Sequence, residues 1–229
     1  MNRAPPAERF DTDTEVQVEG GSSLIVQQHR GKEDDGESQA TVFDGARVLC
    51  STLGTLLRNA LNVDSFFHHP IGTVLDLGAS TGVLGLACAL SQPVGCQHAI
   101  ITDLPPLVQL MQSNIDRNRG DLRGYASAAP LVWGETTLPQ SPCGQADVVL
   151  LCECAYAIQE HENLVRTTAA LLKPCGVAIA VTEYRGDVNR FFAEEAAKRF
   201  EIRHAAQGEL SEEAQKHMST TEFLVMSHR

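Results

Sequence analysis

The sequence predicts an α/β fold: a mostly parallel sheet with helices on both faces, ended by an antiparallel edge pair and preceded by a β-hairpin and a helix. Three observations carry this. From Thr73 onward, short apolar runs alternate with stretches of helical period, which is the pattern of βαβ units. The first such unit holds a Gly-rich turn, Gly78-Ala-Ser-Thr-Gly82, at the place where open α/β sheets bind ligands. Beyond residue 199 the rhythm breaks, because Phe200-Glu-Ile-Arg-His204 and Thr220-Thr-Glu-Phe-Leu-Val-Met226 read as strands with no full crossover helix between them.

Residues 1 to about 20 are polar and aperiodic and are expected to form a loose arm, leaving 21–229 as one domain. Leu24-Ile-Val-Gln-Gln28 and Ala40-Thr-Val-Phe43 flank the turn-rich stretch Gly31 to Glu37, which predicts the hairpin. Asp44 then precedes a helical pattern with Leu49, Leu53, Leu56, Leu57 and Ala60 on one face. Strands are expected at 73–77, 98–102, 130–133, 147–152 and 176–182, with helices at 81–90, 104–117, 160–172 and 187–199. Leu104, Leu107, Val108, Met111 and Ile115 make the apolar face of the second of these helices. Leu164, Val165, Thr168, Leu171 and Leu172 make that of the third, which Pro174-Cys-Gly176 stops. Gly134 to Gln145 reads as a surface loop.

With 229 residues, 43% of them hydrophobic, the chain can bury one substantial core. A formal net charge of −11 argues against a protein that grips nucleic-acid phosphates; it suits basic partners, or plain solubility. Seven cysteines lie scattered in apolar segments without a C-x-x-C pair, so no metal site is expected and the thiols read as reduced. The first ten residues lack an apolar leader, and no run approaches the roughly 18 apolar residues of a membrane span. The expectation is a monomer in the cytoplasm, with the nucleus as a second location, and with neither membrane nor nucleic acid as partner.

The Gly-rich turn carries the chemistry. Its order, Gly78-x-x-x-Gly82-x-x-Gly85, is not the G-x-G-x-x-G of a dinucleotide site. Asp76, two residues ahead, would repel a pyrophosphate but meet a cation, which suits the ammonium of S-adenosylmethionine, while loop amides suit its carboxylate. The plainer alternative is a turn that only packs a helix on a strand. Asp103 ends the second strand, where a carboxylate can accept both hydroxyls of a ribose; ahead of Pro105-Pro106 it also reads as a helix cap. Trp133, the one tryptophan, either lies against an adenine or fills core. Glu153 and Tyr156 follow the buried strand Val148 to Cys152 and stand beside the loop; they either handle an incoming amine or begin the next helix.

Together these residues resemble the group-16 protein lysine methyltransferases, the methyltransferase-like 21 group of seven-β-strand enzymes. The resemblance runs from about Leu24 to the C-terminus. It rests on Val42-Phe-Asp44, Val74 to Gly82, Thr102-Asp-Leu104 with Asn114 and Asn118, Leu131-Val-Trp-Gly134, and the acid-x-x-Tyr signature from Glu153 to Tyr156. The tail, Glu183-Tyr-Arg185, Phe191-Phe192 and Phe200-Glu-Ile202, looks most like the valosin-containing-protein lysine methyltransferase branch. The resemblance implies a Rossmann-like class I methyltransferase sheet, S-adenosylmethionine as cofactor with S-adenosylhomocysteine as product, and a protein substrate presenting a lysine. Methylation of a small molecule on the same fold, or a cofactor-binding scaffold without chemistry, are the alternatives. Contacts to the cofactor are implied for Phe43, Gly78, Ala79, Ser80, Asp103, Trp133 and Cys152, joined by Asp76, Gly82 and Leu104 of the same motifs. Glu153 and Tyr156 are implied at the substrate amine. Three positions depart from the family's usual residues: Phe43 replaces Trp, Ser80 replaces Gly, and Glu153 replaces the commoner Asp.

Overall fold

A strand begins at Phe10, inside the stretch that the sequence reads as a loose arm. The computed structural model describes residues 10–30, 40–61, 71–90, 96–136 and 145–229. β1 (Phe10–Val18) pairs antiparallel with β2 (Ser22–Arg30), so the hairpin is turned at 19–21 and the arm's expected boundary at residue 20 is corrected. Thr and Asp alternate through the first half of β1 and hide its period of two; Val16 and Val18 turn inward, into one core with Leu24 and Val26. The hairpin partner expected at 40–43 is reduced to one bridge between His29 and Ala40. The turn expected at 31–37, and residues 137–144 of the expected surface loop, lie outside the described residues.

The helix after Phe43 is two helices, α1 (Asp44–Cys50) and α2 (Leu53–Ala60). The break falls at Ser51-Thr52, where buried Thr52 leaves helical geometry and its hydroxyl accepts the Ser211 N–H at 2.7 Å. Leu49, Leu53, Leu56 and Leu57 are all buried, so the predicted apolar face survives the break.

The main sheet has seven strands. β3 (Ile71–Leu77), β4 (Cys96–Asp103), β5 (Tyr125–Pro130), β6 (Ala146–Cys152) and β7 (Leu172–Glu183) are parallel, and β9 (Thr221–His228) runs antiparallel between β7 and β8 (Phe200–His204). The order is β5-β4-β3-β6-β7-β9-β8. The chain therefore reverses direction across the sheet between β3 and β6, the switch point where such sheets bind ligands. The third strand is corrected from 130–133 to Tyr125–Pro130. Its sequence, Tyr-Ala-Ser-Ala-Ala-Pro, has little β preference and lies at the sheet edge, whereas the more apolar Leu131-Val-Trp133 continues past the strand end.

Helices cover both faces. α3 (Val83–Leu90) and α4 (Val108–Asn118) lie on the side of Val74, Ile101 and Val148; α5 (His161–Leu171) and α6 (Asp187–Ala196) lie with Leu75, Ile100 and Val149 on the other. Covered faces explain why these strands read as continuous apolar runs rather than alternating ones. Between β8 and β9 the only α-helix is the single turn α7 (Glu212–Gln215), consistent with an antiparallel edge. Among the described residues no helix is long and apolar enough to cross a membrane.

Candidate active site

At the carboxyl ends of β3, β4 and β6 opens a cavity of about 630 Å³, within the range typical of small-ligand sites. Its floor is the turn after β3. Ala79 donates its N–H to Thr102 O at 2.9 Å and Gly82 to Ala79 O at 2.8 Å, and the turn is tightened by positive φ at Gly78 (+71), Ser80 (+53) and Gly82 (+81). At Gly78 a Cβ would come within 2.9 Å of Cys154 Sγ and 3.2 Å of the Trp133 ring. Only glycine leaves the backbone open here.

Asp103 stands beside this turn at the end of β4. Its Oδ2 accepts the Ser80 N–H and its Oδ1 the Leu104 N–H, each at 2.7 Å. Each oxygen keeps a free lone pair, so the carboxylate is oriented without being used up. Burial pushes its pKa up, and the two amides pull it back. It does not cap the short turn at Pro105–Leu107, whose cap position is Leu104.

Asp76 is almost wholly buried under the cavity, and its Oδ2 accepts the Gly85 N–H in the first turn of α3 at 2.8 Å. Burial, and then the nearby Asp103 charge, raise its pKa to about 7 despite that amide. Phe43 and Leu104 are exposed on the cavity walls, and Trp133 is half-buried with its ring centroid 6.3 Å from that of Tyr156.

Glu153 follows β6 in a left-handed conformation, φ +55. Its N–H still reaches Val181 O at 2.9 Å, so sheet pairing holds one residue past the strand while the side chain turns into the cavity. Glu153 Oε1 accepts the Glu183 N–H at 3.0 Å, and Oε2 lies 3.4 Å from the Arg185 guanidinium. Its carboxylate packs on Gly45 of α1, where any Cβ would collide with Oε1. It is therefore no cap of the helix that follows. Burial raises its pKa, and the Glu183 amide and Arg185 oppose the rise. Tyr156, two residues beyond Cys154, is exposed at the mouth. The turn between is fixed by His161, whose Nε2 lies 2.9 Å from Ala155 O; a carbonyl only accepts, so Nε2 carries the proton.

A profile described as lysine methyltransferase matches residues 23–199 of the chain. The chain belongs to that lysine methyltransferase family. Its relatives include protein-lysine methyltransferase METTL21E of Bos taurus, 28% identical over 166 residues that cover 71% of this chain and 53% of that protein. Protein N-lysine methyltransferase METTL21A of Danio rerio is 29% identical over 164 residues, 71% of this chain and 69% of the relative. Protein-lysine N-methyltransferase EFM6 of Saccharomyces cerevisiae is 26% identical over 190 residues, 74% of each. The chain spans little over half the length of the METTL21E relatives from human and cow. In fold it is similar to the 16S rRNA methyltransferase RsmC of T. thermophilus, solved with AdoMet and guanosine, with TM-score 0.61 and 18% identity over all of this chain and 53% of that one. A TehB-like SAM-dependent methyltransferase of Corynebacterium glutamicum gives TM-score 0.51 and 16% identity over 77% and 96% of the chains.

In this member of the family all but one of the residues expected at the site line the same cavity: Phe43, Asp76, Gly78, Ala79, Ser80, Asp103, Leu104, Trp133, Cys152, Glu153 and Tyr156. The exception is Gly82. It faces Ile101, whose Cγ2 would lie 2.9 Å from a Cβ there, so it serves packing of the turn on β4. The sequence reading missed Thr41, Glu160 and Arg185, which also line the cavity. Arg185 had a signal, since Glu183-Tyr-Arg185 was among the family-like tail residues; Thr41 had none beyond its place next to Val42-Phe-Asp44. Among the described lining residues Arg185 alone has a fixed positive charge.

Proposed function

We propose that this chain is an S-adenosylmethionine-dependent protein-lysine N-methyltransferase, with Glu153 and Tyr156 at the substrate amine. What carries the reading is that the acid-x-x-Tyr pair shares one cavity with Asp103 and the Gly-rich turn, in a chain of a lysine methyltransferase family. Residues 21–229, with β1 added to them, act as one catalytic domain.

The residues fit the cofactor by their chemistry. Asp103 offers an oriented, half-free carboxylate to the ribose hydroxyls, Gly78 gives close access to backbone, and Trp133 and Phe43 supply apolar walls for an adenine. Asp76, lifted to about 7 by burial, would be favoured as its anion by a nearby ammonium. When bound, S-adenosylmethionine supplies a methyl group on a sulfonium, open to attack by a lone pair.

The chain's own task is to present that lone pair. A lysine with pKa ~10.4 requires roughly 4–5 kcal/mol to become the free amine at pH 7. Glu153 receives the ammonium at Oε2 and orients it; burial raises its pKa, which makes it a better proton acceptor than a surface glutamate. The Tyr156 hydroxyl bonds the nitrogen at the mouth, and the apolar walls keep water from the amine. The substrate is a protein segment that presents lysine, and the enzyme acts as a monomer. A reducing cytoplasm suits the free thiols of Cys50, Cys88, Cys96, Cys152 and Cys154.

The tail likeness to the valosin-containing-protein branch is the finer part of this proposal. It leans on Phe192 and Phe200, which are core side chains, on Arg185 in the cavity lining, and on the exposed Tyr184 that precedes it. Transfer of labelled methyl from S-adenosylmethionine in a cell extract tests the whole reading. Label in a protein band, lost after Glu153→Gln, is the expected result; label only in small molecules, or tight cofactor binding with no transfer, would overturn it.

A further inference from the structure

Asn114 and Asn118 stand one turn apart on α4, both buried, and both turn their carboxamides to β2. Asn118 accepts the Ile25 N–H at 3.1 Å and donates to the Ile25 carbonyl at 2.9 Å. Asn114 does the same with Gln27, at 2.7 Å and 3.0 Å. The helix thereby offers β2 the donor and acceptor pattern of a neighbouring strand. The two asparagines then diverge. Asn118 spends its other N–H within the helix, on Asn114 O at 2.8 Å, whereas Asn114 reaches Thr81 O in the Gly-rich turn at 3.0 Å.

The connection does not end there. Gln28, also buried, accepts the Val42 N–H at 2.9 Å, and the neighbouring Thr41 carbonyl accepts from Ser80 Oγ at 3.3 Å. Ser80 precedes Thr81, so the bonds close a ring: Asn114, Gln27-Gln28, Val42-Thr41, Ser80-Thr81 and Asn114 again. Thr41, Ser80 and Thr81 line the cavity, and so does Phe43 next to Val42. With Oδ1 accepting one N–H and Nδ2 donating to two carbonyls, the carboxamide has one workable orientation.

We propose that Asn114 is a positioning residue for the cofactor cavity: it clamps the Gly-rich turn to the N-terminal hairpin and so sets the Thr41–Phe43 wall against that turn. The proposal rests on the reading of the cavity as an S-adenosylmethionine site. A purely structural asparagine would behave like Asn118, which loses as many bonds to β2 when truncated. The two variants, Asn114→Ala and Asn118→Ala in the full chain, therefore form the test, with melting temperature, calorimetric affinity for S-adenosylmethionine and amide hydrogen exchange measured on both. Asn114→Ala is expected to weaken affinity tenfold or more and to speed exchange at Val42 and Ser80, neither of which it touches through its own amide. Asn118→Ala is expected to change affinity less than threefold and to speed exchange at Ile25. Equal effects of the two on affinity and on the Val42 and Ser80 amides would overturn the clamp. Should Asn114→Ala not fold, Gln28→Ala opens the ring at another link: faster exchange at Ser80 as well as Val42 supports the clamp, and a change confined to Val42 overturns it. If the native chain binds no S-adenosylmethionine, the cofactor reading fails, while the exchange comparison still decides whether the ring is coupled.

Discussion

Glu153 and Asp76 are two carboxylates lifted by burial, and their partners give them different work. Glu153 has one oxygen on the Glu183 amide and the other open toward Arg185 and the cavity. Glu153→Gln keeps that shape and removes the charge, so methyl transfer should fall on the order of a hundredfold or more while cofactor affinity stays within a few-fold. Single-turnover transfer and calorimetry on one preparation check this, and normal turnover would end the assignment. Asp76 makes a prediction in pH. Its folded pKa of about 7 lies above the ordinary aspartate value of 3.8, so the folded state holds more protons and stability is fully present at low pH, then lost as pH rises through that interval, by at most about 4 kcal/mol. Asp103 and Glu153 are raised in the same direction, so only a difference isolates Asp76. Asp76→Asn, which can still accept the Gly85 N–H, should flatten the slope between pH 5 and 7 and gain stability over the native chain at pH 8, with weaker cofactor binding. Urea unfolding at both pH values decides it; an unchanged slope would mean that the carboxyl is not buried as described. The sequence indicated that both acids matter. It could not show that Asp76 is satisfied by Gly85, because that contact depends on how α3 meets the sheet.

At the scale of elements, legibility followed hydrophobic contrast. The central strands and most of α3 to α6 are readable because apolar runs of the right length are bounded by turn residues, and the reversal at β8 and β9 because no helix-length segment separates them. The end of α5 is corrected, since the helix stops at Leu171 and Leu172 to Gly176, with the expected stop Pro174-Cys-Gly176, already belong to β7. β1 was not readable, since Thr and Asp dilute its period, and β5 was misplaced because an alanine-rich edge strand has less apolar signal than the cavity wall that follows it. The break between α1 and α2 depends on the distant Ser211, which no local pattern reports. Gly85 illustrates how an element is seated. A Cβ there would come within 2.5 Å of Ile101 Cγ1 and 3.0 Å of its Cδ1, so α3 lies directly on β4 and carries the Gly-rich turn with it. Gly85→Ala should cost about 1–3 kcal/mol through overpacking, despite the better helix propensity of alanine. Pairing it with Ile101→Ala, which vacates that space, should recover part of the loss relative to the sum of the two single changes, measured by urea unfolding. Strict additivity would place α3 farther from the strand.

For the molecule as a whole, charge bears on the choice of substrate. The chain has a formal net charge of −11, and of the residues lining the cavity Asp76, Asp103, Glu153 and Glu160 are acidic against one arginine. A field of that sign steers basic proteins toward the molecule, and at the mouth it favours an approaching ammonium over a neutral amide or a phosphate. The steering acts over roughly 10 Å at 0.1 M salt and fades as salt is added, whereas contacts inside the cavity are screened far less. Raising salt from about 50 to 300 mM should therefore lower kcat/KM for a protein substrate several-fold, mainly through encounter, while affinity for S-adenosylmethionine changes little. The strongest labelled band from the extract assay serves as substrate for this measurement once purified. If the two quantities fall together, salt is weakening the fold or the cavity itself; if neither falls, recognition comes from shape at the mouth around Tyr156, and the acidic surface serves solubility alone.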